Sequence, residues 1–189
     1  MKMSKKVKIL VVVFLITVLG LFFGKKVVDS IRYQTIYSEL ASNAQLFENS
    51  EFVFKYPAFL LLTANSEDKQ IHIELEGTTQ NGVKASMAMS KNLTLPGFNT
   101  LDSYKCDNSI VQPIGPASVN LEFLNPTISV YTIKETEKIK ICKILSGGRI
   151  RYEIYISGAV YSLTVRDINS APLEKEAIGD FIAQSFNLK

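Results

Sequence analysis

Few residues in this chain have the type and spacing to do chemistry. His72-x-Glu74 lies in KQIHIELE, where Ile71, Ile73 and Leu75 alternate with His72, Glu74 and Glu76. On a strand that spacing puts imidazole and carboxylate on one face, ~7 Å apart along it, a geometry open to acid–base work or to metal binding. The chain has a single His, however, and no Cys-x-x-Cys accompanies the pair, so a solvated sheet face accounts for it more simply. Ser66-x-x-Lys69 matches the opening of a Ser–Lys nucleophile motif, but its partner motifs are absent. No Gly-x-Ser-x-Gly, Gly-rich phosphate loop or His-Glu-x-x-His occurs. The expectation is therefore no catalytic residue, no cofactor site and no metal site.

Cys106 and Cys142 stand 36 positions apart. In an oxidising compartment they are able to form a disulfide that ties an irregular stretch to a strand. Two free thiols fit the sequence equally well. Glu135, Glu137, Lys138 and Lys140 read as a solvated hairpin between apolar strands, and Asn92-Leu93-Thr94 is a glycosylation sequon.

The chain has 189 residues and a formal charge of +3. Ile9–Phe23, ILVVVFLITVLGLFF, is free of charge. It is shorter than the ~20 helical residues that span a bilayer. Val7, Gly24, Val27 and Val28 extend it if the flanking lysines reach outward. A cleaved signal peptide needs small residues after the run, and Phe22-Phe23-Gly24-Lys25-Lys26 offers a poor site. An uncleaved anchor is the better reading. Four lysines and the terminal amine precede the run, so the positive-inside bias puts the N-terminus in the cytoplasm and the rest outside. No Glu occurs before Glu39, as a type IV pilin processing site would require.

Of the 21 basic residues, six lie within residues 1–26, which hold no acid. The remaining 15 face 18 acids, so residues 27–189 carry −3. A basic, phosphate-neutralising face is missing there, and nucleic acid is excluded as a partner. The expected partners are the lipid bilayer, through the N-terminal helix, and a protein or envelope component of unknown identity.

The elements follow from periodicity. Residues 25–48 are spaced as a helix, with Val28, Ile31 and Arg32, then Ile36, Leu40 and Ala44, following spacings of three and four. Strands are expected at 51–56, 59–64, 69–76 and 83–90, with turns at 65–68 and Asn81-Gly82. Residues 91–126 are Pro-broken, with only a weak helix signal at 100–106. Four further strands between 127 and 167 form a meander. Ser170 and Pro172 open a last helix whose Leu173, Ala177, Ile178, Phe181 and Ile182 share a face. The expected fold is α+β: an antiparallel sheet with a C-terminal helix packed on one face, preceded by a transmembrane helix. Residues 1–26 form the anchor, 27–50 a juxtamembrane helix or linker, and 51–189 the extracytoplasmic domain.

Phe52-x-Phe54-Lys55-Tyr56-Pro57 near the start of that domain and Gln184-Ser185-Phe186 at its end resemble the PsbP-like family. The resemblance covers about residues 51–189. It implies a central antiparallel sheet with packed helices, and carries no catalytic residue and no photosynthetic role. Taken together, the sequence suggests a membrane-anchored, non-enzymatic interaction or accessory protein. The alternative is a small-ligand-binding protein or enzyme with a pocket near the 91–126 loop.

Overall fold

The computed structural model describes residues 5–67, 70–79, 82, 84–92, 106, 128–146, 149–156, 159–166 and 172–189. Of these, residues 5–23, 65–67, 70, 92 and 172 are described by their backbone alone. The sequon, Ser66-x-x-Lys69 and nearly all of the 91–126 stretch, including the weak helix at 100–106, lie outside the described residues or their side chains.

Helix α1 runs unbroken over Lys5–Ser42, about 57 Å at 1.5 Å per residue. Among residues with described side chains no helix is long and apolar enough to cross a membrane; Ile9–Phe23 lies outside that set. A helix through Glu48 was expected, and here the structure differs. α1 stops at Ser42, and Ala44–Glu48 forms strand β1, paired antiparallel with β2, Phe52–Pro57. Leu40 and Ala44 satisfy a helical period, but Phe47 packs in a tilted contact on Phe54 at 5.1 Å across the hairpin. Cross-strand pairing overrides helical spacing in this segment.

The other elements are β3 (Leu60–Glu67), β4 (Gln70–Thr78), β5 (Lys84–Asn92), β6 (Ser129–Glu135), β7 (Ile139–Ser146), β8 (Arg149–Ile156), β9 (Ala159–Val165), α2 (Pro172–Ser185) and β10 (Asn187–Leu188). The chain is α+β, as its periodicities imply, but it builds two antiparallel sheets where one was expected. One has the order β1-β2-β10, the other β3-β4-β5-β9-β8-β7-β6. Pro57, with no N–H to donate, ends β2, and Ala58–Phe59 carry the chain across to the larger sheet. The turn expected at 65–68 is tighter, because β3 pairs with β4 as far as Glu67↔Gln70. The Asn81-Gly82 signal holds at Gly82, whose φ of +75° suits glycine and whose N–H donates to Thr79 O at 2.9 Å.

Alternation then sorts the larger sheet into two faces. Ile73, Leu75, Met87, Met89, Ile141, Tyr152, Ile154, Tyr161 and Leu163 are buried in the main core. Over that face lie α2, with Ala177, Ile178, Phe181 and Ile182 buried, and the small sheet, whose Phe52 meets Tyr161 at 5.0 Å and Phe186 at 4.7 Å. α1 packs outside α2 through Tyr33, Ile36, Tyr37 and Leu40.

The opposite face holds a smaller cluster around Cys142 and Tyr155. There Cys106 is bonded to Cys142, with Cα atoms 5.3 Å apart and 36 positions between them in sequence. Closing a loop of that length restricts the unfolded chain by about 4 kcal/mol. Replacing both cysteines with serine should lower the urea midpoint by a corresponding amount. A reductant should reproduce that loss in the native protein and leave the double variant unchanged.

Candidate functional site

Among the described residues, one dense polar cluster is not announced by the motifs. β7 places Ile141, Lys143 and Leu145 on the face turned to α2. Lys143 is therefore buried, although its neighbours in sequence suggest a solvated lysine. Its Nζ donates to Asp180 Oδ2 at 2.9 Å and to Glu176 Oε1 at 2.5 Å. Those carboxylates stand four apart on α2, one turn above the other. Tyr152 OH, from β8, donates to Asp180 Oδ1 at 2.8 Å, and Tyr33 OH, from α1, donates to Asp180 Oδ2 at 2.7 Å. One turn along, Tyr37 OH donates to Gln184 Oε1 at 2.9 Å.

A glycine allows this approach. A Cβ on Gly179 would lie 2.6 Å from the Tyr152 hydroxyl and 2.7 Å from its ring, so only a bare backbone lets α2 settle there. Burial, then the neighbouring Asp180, pushes both Tyr152 and Tyr33 well above the ordinary tyrosine range, and burial raises Tyr37. All three remain neutral donors at physiological pH. Asp180 accepts three hydrogen bonds and Lys143 is held by two carboxylates. The arrangement is a polar clamp joining α1, α2 and the sheet.

A second cluster joins the two sheets. Lys91 Nζ donates to both carboxylate oxygens of Glu51, at 2.8 and 2.9 Å, and stands 5.6 Å from the centre of the Tyr161 ring. Tyr161 OH donates to the same carboxylate. Lys91, with help from Tyr161, holds Glu51 below the usual carboxylate range, and burial raises Tyr161.

A third lies on the opposite face of the large sheet. Glu153 is buried, accepts from Ser162 Oγ at 2.7 Å and has Arg151 Nε 2.9 Å away, without hydrogen-bond alignment. Burial lifts the Glu153 carboxyl above its ordinary value.

The residues singled out by sequence are placed differently. His72 Nε2 and Glu74 Oε1 meet at 3.1 Å, both nearly half exposed, and among the described residues no three His, Cys, Asp or Glu side chains gather as a metal site. Of the 91–126 stretch, Lys91 and Cys106 are described with their side chains, so a pocket beside it falls outside the description. An open cleft of ≈ 360 Å³ lies elsewhere, lined by Thr136, Glu137, Lys138, Ile139, Asn187 and Leu188. There Thr136 Oγ1 accepts the N–H groups of Lys138 and Ile139 and so serves the hairpin itself. Lys140 pairs with Glu135 at 2.9 Å across that charged hairpin.

The chain matches no family model and no curated protein.

Replacing Lys143 with Met leaves Asp180 buried without its cation, a loss of about 3 kcal/mol. Adding Asp180→Asn should restore part of it, measured as urea midpoints of the single and double variants. Glu153 supplies a pH test. Its folded value lies above the ordinary 4.5, so the unfolded chain releases this proton first. The contribution favours the fold below that pH and is lost as pH rises through the folded value. Glu153→Gln should therefore flatten stability against pH between 4.5 and neutrality, and gain on the native protein at the upper end.

Proposed function

We propose that this chain is an extracytoplasmic interaction or accessory module, without catalytic activity of its own, held on a cell membrane by its N-terminal helix with the N-terminus in the cytoplasm. One observation carries this reading: the helix bearing Ile9–Phe23 continues without a break into the face clamped on α2 by Tyr33 and Tyr37. A span joined in that way holds the domain at a fixed angle and height, where a flexible linker would leave it free. The Cys106–Cys142 disulfide supports an oxidising compartment.

The PsbP-like reading belongs here as well. Its two motif segments lie 130 residues apart and side by side in space, where the Lys55 N–H donates to Ser185 Oγ at 2.8 Å and Phe52 stacks on Phe186. The partner is a protein or envelope component that binds the domain.

Full-length protein should remain in the membrane pellet after carbonate extraction, and protease added to intact cells should degrade the domain. Release by carbonate would remove the anchor from this reading. Protection in intact cells, with digestion only after lysis, would reverse the orientation.

A further inference from the structure

Val27, Val28 and Ile31 are 56%, 62% and 62% exposed, and they make up half of the large hydrophobic side chains exposed among the described residues. At 100° per residue the three fall within one 100° arc of α1. Tyr33, Ile36, Tyr37 and Leu40, the face docked on the domain, fall on the opposite side. α1 is thus covered on one face and carries a bare apolar face on the other, among exposed Lys25, Lys26 and Arg32.

Length and charge indicate what covers it. Fifteen residues, Ile9–Phe23, make about 22 Å of helix against a hydrocarbon core of ~30 Å. Continuing to Val28 gives 20 residues and about 30 Å. Mismatch of this kind draws flanking apolar residues inward while lysines extend back to the phosphates. Ile31 then falls ~4–5 Å beyond the hydrocarbon edge, in the headgroup layer, with Arg32 beside it. Residues 24–32 hold three cations against Asp29, whereas residues 27–189 as a whole are acidic. An anionic surface attracts this segment and repels the rest of the domain.

We infer that residues 24–32 form a lipid-facing collar, in which Val27 and Val28 enter the hydrocarbon edge while Lys25, Lys26 and Arg32 bind anionic lipid phosphates. The inference rests on the membrane reading above. It has a structural consequence, since Tyr33 is five residues past Val28, about 7.5 Å along the axis. The Asp180 clamp therefore stands at the headgroup surface, and the domain is seated on the bilayer without a water-filled stalk.

The chain has no Trp, so one introduced Trp is an unambiguous reporter. Full-length Val28→Trp and Leu15→Trp are each reconstituted in phosphatidylcholine–phosphatidylglycerol vesicles containing lipids brominated near the headgroup or near the chain end. Val28→Trp should emit in the blue and lose at least about half its intensity to shallow bromines, while Leu15→Trp should be quenched best by deep ones. Omitting phosphatidylglycerol, or adding Lys25→Gln and Lys26→Gln, should weaken quenching of Val28→Trp, and no change in either would overturn the phosphate contact. Quenching at Leu15→Trp with water-like emission at Val28→Trp sinks the collar and leaves the anchor standing. Blue emission at Val28→Trp without bromine quenching assigns the face to a second copy and overturns the lipid contact. No quenching at Leu15→Trp removes the membrane reading, and the collar with it.

Discussion

A buried carboxylate organises this molecule. Asp180 is taken out of water in the middle of α2, and a bare charge there would be prohibitive. It is tolerated because three donors converge on it from the two layers that flank α2: Lys143 and Tyr152 from the sheet and Tyr33 from the outer helix. Those donors stand 37, 28 and 147 positions away in sequence. Each becomes available only when its own layer is in place, so the polar core makes the docking of α1, α2 and the sheet interdependent. Gly179, by leaving room for the Tyr152 ring, sets how closely α2 can approach.

The termini of α2 and of the small sheet are managed with the same economy. A β-bulge between Thr132 and Lys134 turns Lys134 toward the end of α2. There its Nζ donates to the carbonyl of Gln184, a last-turn group with no partner within the helix, and, just past the helix, to the carbonyl of Phe186 and to Asn187 Oδ1. Ser185 Oγ both accepts the Lys55 N–H and donates to a carbonyl one turn back in α2. The small sheet is thus fastened by these contacts and by Glu51 with Lys91 and Tyr161. The opposite face of the large sheet rests on a different device, the Cys106–Cys142 bond beside Tyr155.

Much of this was legible beforehand. Alternation in Ile71–Glu76 and in the four later strands marks which side chains turn inward, because a pleated strand leaves little choice. The apolar stripe of α2 is equally plain. Residues 44–48 were not legible, since Ala44 continues a helical spacing and only the hairpin with β2 shows where Phe47 belongs. Lys143 is the instructive case. Alternation sets it beside Ile141, a core residue, yet a lysine between Cys142 and Ile144 suggests solvent. Glu176 and Asp180 sit four apart and read as ordinary helix charges. Their joint meaning needs the two elements face to face.

The sequence by itself determined everything with a short range. It set the apolar run and its flanking lysines, the −3 balance of residues 27–189, the strand periods and the final amphipathic helix. These follow from backbone geometry and from hydropathy within a few neighbours. The tertiary structure decided the division into two sheets, the end of α1, the pairing of Cys106 with Cys142, and the choice of Asp180 as the meeting point of three layers. Such pairings depend on groups tens of residues apart, whose encounter is fixed by the packing of whole elements and leaves no periodic trace in the chain.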